Sequence, residues 1–263
     1  MRAFLLGLLV GCYSPTPPQG LPCGDGDSCP SGQRCFDGFC STPFGTDPDS
    51  ALPDDGAATG DGSSQSLKFG ERSDAITDKM VDTFLVSEAS QSANNFGVHT
   101  DLHLTSGALD PVLFHVDLSS IPRNARVTSA VLFLEVSFNR VDAGTKIRVF
   151  QVNESWTEGS GDHSAGIANQ FQRHQDVVWS SDGAAPPSRG STPAGNTMIN
   201  TLVEVGNDLA IDVPVDLVQA WVADPSSNNG LALIVSATDF YCEVASSEAT
   251  EELDRPILQV EIQ

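Results

Sequence analysis

The sequence has few basic residues and no long apolar run. Its 263 residues include 13 Lys and Arg against 35 Asp and Glu, which gives a formal net charge of −22. Nucleic acid and anionic membrane surfaces repel so acidic a protein, and the same charge argues against a polyanionic ligand. No stretch reaches the ~18 to 20 apolar residues that a membrane-spanning helix needs. We therefore expect no nucleic-acid partner and no membrane span.

Common catalytic motifs are missing as well. The sequence contains no Gly-x-Ser-x-Gly, no His-Glu-x-x-His and no phosphate-binding loop. A hydrolase also needs paired carboxylates, a Ser/His/Asp set or a metal centre, and the acids are too numerous here to single out a pair. We expect a non-catalytic binding protein, and a polysaccharide lyase or hydrolase is the less favoured alternative.

Residues 1–11 have the pattern of a secretion signal. Arg2 precedes an apolar run at 4–10, and a short positive region followed by an apolar stretch is typical of a leader. The run ends in Leu9-Val10-Gly11-Cys12, which looks like the lipobox of bacterial lipoproteins. That resemblance implies a diacylglycerol on Cys12, a lipidated tether over 12–22, and anchoring at the bacterial outer membrane or cell surface through lipid alone. The alternative is a leader that is cleaved elsewhere.

Four cysteines are packed into residues 23–40, at Cys23, Cys29, Cys35 and Cys40. Eighteen residues bury no core, so crosslinks must stabilise the segment, and export to an oxidising compartment favours disulfides. A zinc site is the alternative, although the spacing has no Cys-x₂-Cys pair. Three pairings are possible, and we predict Cys23–Cys35 with Cys29–Cys40. The segment resembles small Cys-rich modules near the N-terminus of bacterial surface lipoproteins.

Residues 41–69 are predicted to be a disordered acidic linker. The part from 41 to 66 has five aspartates, no Lys or Arg, and prolines at 43, 48 and 53. Such a composition buries too little apolar surface to offset the entropy of ordering the chain. The linker would tether a large domain over residues 70–263.

The large domain alternates apolar and polar residues in short runs bounded by turn residues. The runs lie at 112–116, 130–138, 146–152, 209–213, 231–235 and 257–262. A period of two predicts antiparallel strands with one buried face, so we expect an all-β sandwich. In the second run Ala130, Leu132, Leu134, Val136 and Phe138 should share that face. Residues 216–222 are the exception, and they predict one short helix with Asp216 near its N-cap and a stop before Asp224.

A series of short motifs gives the large domain a family resemblance. They are Asp82-Thr83-Phe84, Asn94-Asn95-Phe96-Gly97, the stretch from Val112 to Pro122, the stretch from Arg126 to Leu132, the stretch from Val152 to Glu158, Val218-Gln219-Ala220-Trp221, Asn229 to Leu233, Ser246-Ser247-Glu248 and Arg255 to Leu258. In this order the set resembles the DNRLRE domain, or carbohydrate-binding module family 96, which is related to a domain of archaeal disaggregatase. The resemblance implies a β-jelly-roll that binds polysaccharide, alginate in one known branch. A cell-surface protein that contacts another protein is the alternative function.

Aromatic side chains in loops are the best candidates for a sugar site, because pyranose rings stack on aromatic faces. Trp179 follows a polar stretch and precedes a loop rich in Gly, Pro and Ser, where binding residues are common. We name Trp179 as the candidate platform, with Phe171 and Arg173 as companions. Trp156 and Trp221 stand beside apolar motif residues and are expected in the core.

The acidity of the chain would suit Ca²⁺, so the sequence is compatible with a bound calcium ion, and the loop 158–163 could supply ligands to it. His99 and His103 fall in a predicted turn and strand, which would place them ~13 Å apart and unsuited to sharing a metal. The odd cysteine, Cys242, stands next to an apolar strand and is expected to be a small buried side chain.

Overall fold

The computed structural model describes residues 64–72, 75, 80–140, 144–199, 203–236 and 240–263, and the backbone at 21–22, 34–36 and 39–41. The chain divides into two compact units, residues 1–59 and 60–263. In the first unit β1 (Leu21–Pro22), β2 (Arg34–Phe36) and β3 (Phe39–Ser41) form an antiparallel sheet in the order β1–β3–β2.

The side chains of the N-terminal cysteines lie outside the described residues. This holds for Cys12, Cys23 and Cys29 entirely, whereas Cys35 and Cys40 are described by their backbone only. The lipid anchor and the disulfide pairing therefore stay predictions, as does the linker between residues 42 and 63.

The described residues of the second unit form fifteen strands and one helix. They are β4 (Gln65–Gly70), β5 (Met80–Phe84), β6 (Asn94–Asn95), β7 (Asp101–Thr105), β8 (Val112–Val116), β9 (Val127–Arg140), β10 (Thr145–Gln151), β11 (Ser164–Ala165), β12 (Gln172–His174), β13 (Val177–Val178), β14 (Gly195–Ile199), β15 (Asp208–Asp212), α1 (Val215–Ala223), β16 (Leu231–Ser236), β17 (Tyr241–Ala245) and β18 (Ile257–Ile262). Two short 3-10 turns lie at Asp182–Ala184 and Pro225–Ser227.

Two large antiparallel sheets make up most of this unit. One has the strand order β14–β10–β16–β8–β5, and the other has the order β4–β18–β9–β17–β7, with β15 also paired to β9. Short pairs join β11 to β6 and β12 to β13. The predicted all-β, sandwich-like fold with a single helix is confirmed. No helix in the described part of the chain is long and apolar enough to cross a membrane.

Strand β9 shows how the alternation places the core. Ala130, Leu132, Leu134 and Val136 are each at most 5% exposed, as the period of two predicts. Phe138 is 46% exposed, so its predicted place on the buried face is wrong. The pairing with β17 shifts register here, since Glu243 pairs with Phe138 and Val244 with Val136. Such a bulge inserts one residue and breaks the alternation.

The five-stranded sheet is buried on both faces, and this fact positions the candidate site. Along β8 and β16 the residues alternate between two hydrophobic clusters: Val112 and Leu233 belong to the main core, whereas Leu113 and Ala232 belong to a second cluster with Trp179. Successive side chains of a strand point to opposite faces, so the second cluster covers the sheet face that turns away from the main core. The segment that follows β10 and contains Trp179 therefore covers this face of the sheet with loops.

Two predicted boundaries change by a few residues. The helix begins at Val215, after Pro214, and ends before Asp224, and the Asp216 side chain lies in its first turn without capping it. The predicted linker extends too far, because Gln65–Gly70 forms β4 and pairs along the whole of β18. Phe69 is fully buried there, which an unstructured linker residue could not be.

Candidate functional site

Trp179 lies beneath the loops, not on their surface. It is 3% exposed, it packs in the second cluster, and its indole Nε1 donates a hydrogen bond to the Asn169 carbonyl oxygen at 3.0 Å. An indole enclosed on both faces has no room to stack a sugar ring. The prediction that Trp179 is a ligand platform is therefore wrong. Its buried side chain instead supports the loop that carries Phe171. Trp221 is buried in the main core, and Trp156 is half-buried against the second cluster.

Phe171 immediately precedes β12, the first strand of the β12–β13 hairpin, and Arg173 lies within that strand. The two side chains differ in their surroundings. The Phe171 ring is 41% exposed. The Arg173 guanidinium is engaged within the protein, since Nη1 donates to the Ser155 carbonyl oxygen at 2.7 Å and Nε lies 3.6 Å from Glu154 Oε2. Arg173 therefore ties the hairpin to the preceding loop, whereas Phe171 is available to a ligand.

A shallow open groove of about 450 Å³ runs beside Phe171. It is lined by Ala93, Ala165, Gly166, Ile167, Asn169, Phe171, Gln172, Gln175 and Val178. We call it the hairpin groove. Among the described residues, none that lines it carries an ionisable side chain, although the chain as a whole is strongly acidic. The lining combines one aromatic ring, short apolar side chains and carboxamides.

Two buried asparagines hold the loops around the hairpin groove. Asn169 donates through Nδ2 to the Gly166 carbonyl oxygen at 2.6 Å and accepts through Oδ1 from the amides of Phe171 and Gln172 at 2.8 Å each. Asn95 is fully buried, and its Nδ2 donates to the carbonyl oxygens of Glu158 and Ala168. Each amide side chain satisfies several backbone groups of these loops, and the hydrogen bonds stabilise the loops that form the groove.

Gly159 belongs to the same network and has no substitute. Its φ is +85°, and a Cβ added there would lie 1.5 Å from the Ile167 carbonyl oxygen. Only glycine tolerates both the left-handed backbone and so close an approach. The loop after Trp156 is therefore fixed against the floor of the hairpin groove.

A second group of titratable side chains contains three histidines, of which His103 and His163 line a separate open pocket. The rings of His99 and His103 are 5.4 Å apart, so the predicted separation of about 13 Å is wrong: the turn at 97–100 folds His99 back towards the strand. His163 lies 4.9 Å from His99, and Asp162 Oδ1 is within 4.0 Å of a ring nitrogen of both. Burial lowers the pKa of His103. His99, Asp162 and His163 could hold a metal ion, because their donor atoms lie within 4.8 Å of one another.

A partly buried carboxylate cluster is the other group of potential metal ligands. Asp82, Glu158 and Glu248 each place a carboxylate oxygen within 4.8 Å of the other two. Asp82 is 1% exposed, and burial raises its pKa well above the ordinary value. Burial also raises the pKa of Glu158, to about 8, although the Asp82 backbone amide donates to Glu158 Oε1 at 2.7 Å.

The Ser155–His174 pair is the arrangement closest to a nucleophile and base. Ser155 Oγ lies 3.1 Å from His174 Nε2, and the Thr157 hydroxyl lies 2.7 Å from His174 Nδ1. A serine hydrolase would have a carboxylate where Thr157 stands, to orient the imidazole and stabilise its charge. Both hydrogen bonds are on the surface, and they fix the histidine against the hairpin.

Cys242 is buried at 2% exposure, as expected from its apolar neighbours. Burial raises the pKa of its thiol to about 12, so the reactive thiolate is suppressed at neutral pH.

No protein-family model matches the chain, and no curated protein matches it significantly.

Proposed function

We propose that this chain is an exported, surface-anchored and non-catalytic binding protein, and that its large domain binds a polysaccharide in the hairpin groove. The observation that carries this proposal is the exposed Phe171 ring among the carboxamides of Gln172 and Gln175. An aromatic face buries the C–H groups of a pyranose ring, and amides meet its hydroxyl groups with both donors and acceptors.

The charge distribution favours a neutral polymer over an acidic one. The groove lining is uncharged, and the protein around it carries a formal charge of −22. A polyuronate would be repelled by that field and would find no Lys or Arg among the described residues lining the groove. An open groove also accepts a chain at any point along its length, which suits an internal segment of a polysaccharide.

Preorganisation supports the same proposal. Asn169 fixes the backbone on both sides of Phe171, and Trp179 packs beneath it. A ligand would then bind without the entropic cost of ordering the loop. This matters for weak contacts such as one stacked ring and a few hydrogen bonds.

Affinity electrophoresis tests the proposal. The exported chain is run in gels that contain neutral or acidic polysaccharides, beside the variants Phe171→Ala and Phe138→Ala. Phe138 is a matched control, since it is a similarly exposed phenylalanine on β9. We expect retardation by a neutral polymer that Phe171→Ala abolishes and Phe138→Ala keeps. No retardation by any polymer, or equal retardation of both variants and wild type, would refute the hairpin groove as a sugar site.

The lipid anchor is a separable part of the proposal and rests on the Leu9-Val10-Gly11-Cys12 string. A Cys12→Ser variant should leave the membrane fraction of the producing cells, while the wild type stays with it. Equal partition of the two forms would contradict the anchor and leave the binding function untouched.

A protein-binding role is the second candidate, and the apolar hairpin favours it. Val177 and Val178 are 38% and 63% exposed next to Phe171. Neighbouring exposed apolar side chains commonly mark contact surfaces. This role would replace the first if no polysaccharide retards the chain.

A further inference from the structure

Three carboxylates from distant parts of the chain meet at a partly buried position in the large domain, where Asp82 is buried and Glu158 and Glu248 are half-buried. Asp82 lies on β5, Glu158 follows β10, and Glu248 follows β17. One oxygen of each lies within 4.8 Å of the other two. In the described part of the chain no Lys or Arg side chain forms an ion pair with any of the three; Arg255 pairs instead with the nearby Glu71, at 3.3 Å.

Asp82 supplies the observation that points to a ligand. Its side chain is almost fully buried, and Oδ2 accepts a hydrogen bond from the Ser247 amide at 2.9 Å. Oδ1 is buried without a hydrogen-bond partner among the described residues. A buried carboxylate oxygen without a partner is strongly destabilising, unless a proton or a cation compensates it.

The mutual repulsion in the cluster adds to this destabilisation. The charges of Glu248 and Glu71 raise the pKa of Asp82 after burial itself, and those of Glu248, Asp82 and Glu71 do the same for Glu158. Burial also raises the pKa of Glu248. The cluster therefore combines one fully buried carboxylate with two half-buried ones, and a bound cation would offset both the burial of Asp82 and the repulsion among the three.

We propose that Asp82, Glu158 and Glu248 bind one Ca²⁺ ion that joins the two sheets of the sandwich. The donors are all oxygens, which hard divalent cations prefer. Ca²⁺ binds oxygen at roughly 2.3–2.6 Å, so ligands on opposite sides of the ion lie about 4.6–5.2 Å apart, which accommodates the observed spread. Three carboxylates offer up to six oxygens without the several waters that Mg²⁺ retains, and the interior around Asp82 excludes water.

The ion would stabilise the joint between the sheets. Asp82 belongs to the edge strand of the five-stranded sheet, and Glu248 follows a strand of the other sheet. The Glu158 carbonyl oxygen accepts from Asn95, which holds the loop under the hairpin groove. The Ca²⁺ proposal stands whether or not the groove binds sugar, because its test measures the ion directly.

The test uses the full chain, stripped with EDTA and dialysed. Equilibrium dialysis with ⁴⁵Ca²⁺ gives the stoichiometry, and thermal unfolding is recorded with 10 mM CaCl₂, with 10 mM MgCl₂ and with EDTA. We expect one bound Ca²⁺ per chain and a rise in Tm of about 3–10 °C with calcium, for an affinity typical of extracellular modules. Magnesium should produce a much smaller rise.

Variants assign the ion to these residues. Glu248→Gln and Asp82→Asn should lose the bound ion and the calcium-dependent rise in Tm. Glu252→Gln, an exposed glutamate in the same loop as Glu248, is the matched control and should keep both. If Asp82→Asn does not fold, Glu248→Gln carries the test alone. The proposal is overturned if the wild type binds no Ca²⁺ at 10 mM, if Mg²⁺ matches its effect, or if Glu248→Gln still binds one ion.

Discussion

The backbone amide of Asp82 donates a hydrogen bond to Glu158 Oε1 at 2.7 Å, while the side chains of the same two residues converge in one partly buried carboxylate cluster. The bond fixes the Glu158 carboxylate beside Asp82 and favours its charged form, yet burial outweighs it and the pKa of Glu158 rises to about 8. A hydrogen bond thus holds the two carboxylates together although their charges repel each other, and the stability of the protein should therefore depend on pH.

Metal-free protein should lose stability as the pH rises from about 5 to about 8. An acid with a raised pKa in the folded state holds its proton there after the unfolded chain has released it, so its stabilising contribution is complete below the ordinary pKa and disappears as the pH passes about 8. Glu158, Asp82 and Glu248 all shift in this direction. Urea unfolding in EDTA at pH 5.5 and pH 8 measures this decrease in the free energy of unfolding, and the decrease should be smaller for Glu158→Gln. A free energy of unfolding that is independent of pH, or the same decrease in the wild type and in Glu158→Gln, would contradict the burial of the Glu158 carboxyl.

Gly159 should be far less tolerant of alanine than Gly206. Both have φ of +85°, but a Cβ at Gly206 meets nothing within 4 Å, whereas one at Gly159 meets the Ile167 carbonyl oxygen. Gly206→Ala should cost about 1–2 kcal/mol, the strain of a left-handed backbone alone. Gly159→Ala should cost clearly more and weaken binding in the hairpin groove. If urea unfolding shows equal destabilisation by Gly159→Ala and Gly206→Ala, the loop that contains Gly159 is not fixed against Ile167.

Trp179→Ala should destabilise the protein by about 3–5 kcal/mol, because it removes a large buried ring from the second cluster. Trp179→Phe keeps most of the volume but leaves the Asn169 carbonyl oxygen without its donor, so its cost should be smaller. Chemical denaturation measures both. A loss of ligand binding in Trp179→Phe with unchanged stability would restore Trp179 as a direct ligand contact.

Leu134 and Phe138 test the bulge in β9. Leu134→Ala should cost about 2–5 kcal/mol, as for a buried leucine, whereas Phe138→Ala should change the free energy of unfolding by about 0.5 kcal/mol or less. A period of two without the bulge would bury both side chains equally. A large cost for Phe138→Ala would therefore place Phe138 in the core after all.

The sequence predicts the strands well because their alternation is local. The run at 112–116 is found as Val112–Val116, and the helix is found at Val215–Ala223. The local sequence pattern does not predict the bulge that exposes Phe138, because the bulge depends on the pairing with strand β17. It also underestimates burial where a sheet is covered on both faces, which is why Trp179 reads as a loop residue but packs in a core.

The candidate site is only partly visible from sequence, for a similar reason. The sequence identifies Phe171 as a candidate because an aromatic residue in a polar loop is a local signal. The carboxylate cluster joins residues 82, 158 and 248, and spacing along the chain does not show that three separate loops and strands meet. His99 and His103 illustrate the same limit, because a turn rather than a straight strand sets their distance.

Hydrogen–deuterium exchange with the polysaccharide that retards the chain most tests the central claim directly. Binding in the hairpin groove should slow amide exchange in peptides covering residues 165–178, and it should leave peptides around Phe138 unchanged. The same protection should be missing in Phe171→Ala at equal polymer concentration. Protection that falls instead on the histidine-lined region around His99 and His103, or no protection in the presence of a polymer that retards the chain, would contradict the assignment of the hairpin groove as the sugar site.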